Sequence, residues 1–172
     1  MTWSYSPNQE DAEDIINGGF KELPEGYYHG FIEDVLDTAT KNGDPMIEIT
    51  VKILAGTVKN CKGMKKPFYF LQNEYSLKEL IRLLIATKML TPEDVRTYGE
   101  NNKPIPIETF LPELPDRQFC FRVRKFTKKD GKEGIGYTFY SIDSVEAADI
   151  PKDLEVVKLL QNNSDNSIED VF

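Results

Sequence analysis

Arg122 and Arg124 alternate along a run rich in β-formers, Gln118 to Phe126, and Tyr137 and Phe139 alternate along a second, Gly136 to Ile142. Guanidinium groups neutralise phosphates, and flat rings stack bases at roughly 1–3 kcal/mol each. The mixture suits single-stranded nucleic acid. Asp130-Gly131 between the two runs is a hairpin signal. Read as a two-residue turn, it sets Arg124 opposite Tyr137, Arg122 opposite Phe139 and Cys120 opposite Ser141. Phe121 with Tyr140, Phe119 with Ile142, and Val123 beside Thr138 are then the core side. Lys125, Lys128, Lys129 and Lys132 extend the positive charge toward the hairpin tip. Lys62, Lys65 and Lys66, ahead of Phe68-Tyr69-Phe70, repeat the basic-then-aromatic order, with Tyr69 on the face opposite Phe68 and Phe70. The expected strand-binding set is therefore Lys65, Lys66 and Tyr69 from one region, with Arg122, Arg124, Lys125, Lys128, Tyr137 and Phe139 from the other. The competing reading is a solvated face with ordinary cross-strand pairs.

Other chemistry is less well supplied. Pro115-Asp116 and Asp130-Gly131-Lys132 match the spacing of a PD…DxK nuclease, in which two carboxylates hold Mg²⁺ and the Lys positions a water. That pattern wants its second Asp on a strand, whereas Asp-Gly reads as a turn. One histidine, His29, excludes sites needing several imidazoles, and two cysteines exclude a Cys-rich zinc centre. His29 is expected to be structural or exposed. Cys61, with Lys59 and Lys62 nearby, is expected to be a surface thiol. Glu33, Asp34 and Asp37 read as a solvated strand end. Gly-Lys-Ser/Thr phosphate loops are absent from the sequence. Neither a metal nor a cofactor is expected, and the chain is read as non-enzymatic.

The elements that must position these residues follow from local pattern. Tyr27 to Leu36, Ile47 to Ile53 and Phe68 to Leu71 read as strands, the first two joined at Asn42-Gly43-Asp44. Ser76-Leu77-Lys78-Glu79 reads as a capping box opening an amphipathic helix over 77–89. Thr91-Pro92-Glu93-Asp94 opens a second helix that Gly99 stops. Residues 100–116 carry four prolines and read as a loop. Five strands with a helix after the third predict a mainly β, α+β chain: an OB-like, partly open barrel with an acidic C-terminal tail.

The 172 residues carry a net charge of −8, unevenly spread. Residues 1–22 hold −4 and residues 143–172 hold −6, leaving 23–142 at +2. That asymmetry keeps nucleic acid in consideration. The expected divisions are a polar acidic lead-in (1–22), a binding domain (23–142), an acidic extension with a short helix (143–160) and a disordered tail (161–172). The first residues lack the basic and apolar regions of a signal peptide, and apolar runs long enough to span a membrane are absent from the sequence.

Leu23-Pro24-Glu25-Gly26-Tyr27-Tyr28, Ile32-Glu33-Asp34 and Thr38 through Lys41-Asn42-Gly43-Asp44-Pro45-Met46 resemble the opening of a phage family. That family was long catalogued as a domain of unknown function and is regarded as single-stranded-DNA-binding proteins. Gly56, Gly63, the Leu-rich helix and the Asp130-Gly131-Lys132 hairpin fit the same pattern over about residues 23–142. The resemblance implies an OB-like fold, single-stranded DNA as partner, and a role in phage replication or recombination in the cytoplasm of an infected bacterium. Separately, Ile168-Glu169-Asp170-Val171-Phe172 resembles the acidic tip of bacterial and phage single-strand-binding proteins. Glu169, Asp170, Val171 and Phe172 are thus expected to recruit phage or host replication and recombination proteins. A module that binds only protein is the further alternative.

Overall fold

A computed structural model of the chain describes residues 3–9, 12 and 22–157. The expected tail 161–172, and with it the tip from Glu169 to Phe172, lies outside the described residues. Most of the lead-in does too.

Five strands form one antiparallel sheet in the order β3-β2-β1-β4-β5. They are β1 (Gly26–Ala39), β2 (Pro45–Gly56), β3 (Lys65–Leu71), β4 (Gln118–Thr127) and β5 (Glu133–Tyr140). Helix α1 (Glu74–Ala86) follows β3, and α2 (Pro92–Glu100) follows α1. The sheet is not closed into a barrel: among the described residues, no ladder joins β3 to β5. It is nevertheless strongly curled. Phe68 of β3 meets Tyr137 and Phe139 of β5 at centroid separations of 5.0 and 5.5 Å. Curling needs a yielding point in the long central strand. The β1–β2 register shifts at His29/Gly30, where a Cβ on Gly30 would come within 2.8 Å of the Lys52 carbonyl oxygen.

The inner face buries Tyr28, Ile32, Ile49, Val51, Phe68, Phe119 and Phe121 against Leu80, Leu83 and Leu84 of α1. Full burial of each such apolar side chain contributes about 1.5–3 kcal/mol. The helix starts one turn before the expected position. Asn73, not Ser76, is the N-cap, its side-chain oxygen accepting the Ser76 N–H at 2.8 Å. Helix α2 opens as expected, with a capping box between Thr91 and Asp94. Gly99 lies inside it, and the chain leaves the helix through Asn102 at φ 51°. The Pro-rich connection holds a short helix, Ile107–Phe110, and a 3₁₀ turn, Leu111–Glu113.

The β4–β5 hairpin corrects the expected register. Lys128 and Lys132 close the loop through a 2.8 Å bond from the Lys128 N–H to the Lys132 carbonyl. Three residues lie between them, with Gly131 left-handed at φ 84°. Asp130 accepts the Lys132 N–H through Oδ1 at 3.0 Å. One extra loop residue moves the pairing by one: Phe121 faces Phe139, Val123 faces Tyr137, Arg122 faces Thr138 and Arg124 faces Gly136. A one-residue slip exchanges faces. Tyr137 and Phe139 therefore belong to the inner face with Phe119 and Phe121, not to the face of the arginines.

Candidate nucleic-acid interface

The seam between β3 and β5 is where the sheet's alternation and the start of α1 converge. Alternation sends Phe68 inward and Tyr69 outward on β3, and Ile135, Tyr137 and Phe139 inward on β5. The Asn73 cap adds a turn to α1 that brings Tyr75 and Ser76 alongside Glu79. Together these groups line a cleft of about 260 Å³ whose walls include Lys66, Tyr69, Tyr75, Glu79, Tyr137 and Phe139. Lys66 Nζ stands 5.4 Å from the Phe68 ring centroid and 5.1 Å from that of Tyr137. These are cation–π distances. Tyr75, at the rim, is 74% exposed, and Tyr69, 56% exposed, turns its ring to the outer face of the same edge strand. Rings of this kind, beside an ammonium group, can hold a base and its phosphate.

Four of the nine expected residues, Lys66, Tyr69, Tyr137 and Phe139, thus share one cleft. The others do not. Arg122 lies on the outer face, its guanidinium 5.3 Å over the Tyr27 ring. Arg124 and Lys128 continue from there as exposed residues toward the hairpin tip, whereas Lys125, paired with Ile135, falls on the inner-face row of β4. The Lys125 backbone N–H donates to Glu25 Oε1 at 3.0 Å, tying that end of β4 to the turn before β1. Lys65 is on the outer face of β3, where Nζ donates to Glu33 Oε1 at 3.1 Å. Tyr75, Glu79 and Tyr27 were not singled out from sequence for this site. Tyr75 precedes the expected helix start, and Tyr27 meets Arg122 only through the β1–β4 pairing.

Behind Arg122 the outer face is covered. Residues 143–157 fold back over β1 and β4, and Ala147 and Ile150 pack on Cys120, Tyr27 and Tyr140. His29 fastens this segment from a fully buried position. Its Nδ1 accepts the Asp153 N–H at 3.1 Å, so its proton sits on Nε2, which bonds Gln118 Oε1 at 2.8 Å. Burial holds the imidazole below its ordinary pKa, against the opposing pull of the Gln118 bond. Cys61 is not the surface thiol expected: it is buried, and burial pushes its thiol up. Burial pushes Cys120 up to about 11. Neither has the exposed, lowered-pKa setting of a reactive cysteine.

The nuclease pattern does not assemble. Asp116 lies in a left-handed turn (φ 70°) ahead of β4, and Asp130 lies in the loop beyond its far end. A ten-residue strand between them separates the two by about 33 Å. Among the described residues, no group of three or more His, Cys, Asp or Glu side chains is placed to hold a metal ion. No helix among them is long and apolar enough to cross a membrane. Compared with models of known protein families and with curated proteins, the sequence matches none.

Proposed function

We propose that the chain is an OB-like, non-enzymatic protein that binds single-stranded DNA with little sequence preference during phage replication or recombination. The observation that carries the reading is the seam cleft, where Lys66 stands against Phe68 and Tyr137 while Tyr69 and Tyr75 stay exposed. An OB-like identity is supported by the strand order β3-β2-β1-β4-β5, the helix after β3 and the approach of Phe68 to Tyr137. Arg122, Arg124 and Lys128 supply a second, cationic track along β4 and its hairpin loop that can follow phosphates. DNA in preference to RNA rests on the phage resemblance alone. Recruitment of replication or recombination proteins through Glu169, Asp170, Val171 and Phe172 rests on the likeness of that tip to other acidic tips.

Gel shifts with single-stranded DNA, duplex DNA and RNA oligomers test the reading. Single-stranded DNA should shift most strongly. With about four phosphates neutralised, log affinity should fall against log salt with a slope near −3. The Arg122→Ala/Arg124→Ala double variant should bind more weakly and with a shallower slope. Salt-indifferent binding, or affinity unchanged in the double variant, removes the β4 track. Degradation of labelled DNA with Mg²⁺ would instead favour an enzyme.

A further inference from the structure

The seam cleft holds one group that general strand binding does not use. Glu79 of α1 lines a cleft whose other walls are mostly rings, with Lys66, Ser76 and Ile135, and its side chain is only 20% exposed. Arg82, one turn on, bonds Glu79 Oε1 and orients the carboxylate. No hydrogen bond to Oε2 is made among the described residues. A partly shielded carboxylate with an open oxygen beside stacking surfaces is an acceptor awaiting donors. The volume of about 260 Å³ suits one planar ring system, since pockets for larger ligands run about 300–1,000 Å³.

We infer that this cleft takes a single unstacked base and that Glu79 makes it selective for guanine. The inference deepens the single-strand reading and rests on it. An unpaired base offers its Watson–Crick edge. Guanine presents two adjacent donors there, N1–H and N2–H, which match Oε2 and the lone pair of Oε1 that Arg82 leaves free. Cytosine and adenine each present one donor beside a ring-nitrogen lone pair, and that lone pair repels the second oxygen. Thymine places its one N–H between two carbonyls. Lys66, over the Phe68 and Tyr137 rings, is then placed for the phosphate of the same nucleotide, and Tyr75 for stacking at the rim. A strand held indifferently elsewhere would thereby acquire one preferred register.

The experiment is fluorescence anisotropy on the full chain at fixed salt, with thymidine oligomers of about twenty nucleotides. One central residue is dT, dG, dA or dC. The dG oligomer should bind about tenfold more tightly than the dT oligomer. Glu79→Gln sits on the helix surface and keeps the side chain's shape, and circular dichroism checks its fold. Glutamine offers one acceptor and one donor, complementary to adenine and cytosine alike. The variant should lose the guanine preference and gain affinity for dA and dC relative to dG. Tyr75→Ala should weaken all four oligomers alike. Equal binding of the four oligomers by the natural chain overturns the inference alone, as does a guanine preference that survives Glu79→Gln. Failure to bind any oligomer overturns both the inference and the function proposed above.

Discussion

The outer face of the sheet is built by one alternation but finished in two ways. On the β1–β4 half, His29 and Cys120 point outward and are fully buried, because residues 143–157 lie over them. On the β2–β3 half, Lys65, Tyr69 and Leu71 point outward into water. Both halves have the period-2 pattern of a half-buried sheet. The difference lies in a segment distant in sequence and acidic in composition. It contributes two well-buried residues, Ala147 and Ile150, and one backbone N–H, that of Asp153, aimed at an imidazole. A face that reads as solvated can therefore be an interior surface, and its neighbour on the same sheet can remain free for a ligand.

The sharpest way to break this contrast is to remove the cover. Truncation after Ile142 should lower unfolding stability by on the order of 3–5 kcal/mol, read as a drop in the urea midpoint. Tyr69→Ser with Leu71→Ser, on the bare half, should stay within about 1 kcal/mol. An unchanged midpoint in the truncated chain would mean that 143–157 is an appendage and not part of the fold.

Tyrosines on the two sides of the seam should part company more modestly. Tyr137 packs edge-on against Phe68, so Tyr137→Ala should cost roughly 2 kcal/mol of stability as well as strand affinity. Tyr69→Ala should leave stability intact and cost about 1–3 kcal/mol of binding. Paired urea melts and anisotropy titrations separate the two. Loss of stability in Tyr69→Ala would show that this ring supports the fold.

The smallest effect is on pH. The folded-state pKa of His29 is lowered, so the unfolded chain binds the proton more readily. Stability is full above the ordinary pKa of about 6.5 and declines as pH falls through it, by at most about 1.4 kcal/mol per pH unit for one proton. Protonation also removes the Nδ1 acceptor for Asp153. Between pH 7.5 and 5.5, above most carboxylate titrations, the urea midpoint should decline in the natural chain and stay flat in His29→Gln. A parallel decline in both would place the titration elsewhere.

Much of this architecture was readable from local pattern. The apolar–polar alternation of Ile47 to Ile53 and the split of Tyr69 from Phe68 and Phe70 follow from strand period alone, and both are observed. Thr91-Pro92 fixed the start of α2 because the cap chemistry is local. Asp130-Gly131 was ambiguous in a way that mattered. The dipeptide suits both a two-residue turn and a three-residue loop with glycine left-handed, and only the closing Lys128–Lys132 bond distinguishes them. That single residue moved Tyr137 and Phe139 to the other face and β5 to Glu133–Tyr140. The seam was illegible for a different reason. It joins β3, α1 and β5 through sheet curvature, and no run of neighbouring residues encodes the meeting of Phe68 with Tyr137.

The two thiols sit in separate compartments. Cys61 belongs to the main core, and Cys120 lies in the small cluster under residues 143–157. Burial pushes the pKa of Cys120 up to about 11, so it is held as the unreactive thiol at pH 7. Alkylation in the native state must therefore wait for an opening event. Lifting of the extension frees Cys120, whereas exposure of Cys61 requires the β2–β3 loop to move off Gly56. The chain carries two internal clocks, and the ratio of their rates reports how often the cover detaches while the rest of the molecule stays folded.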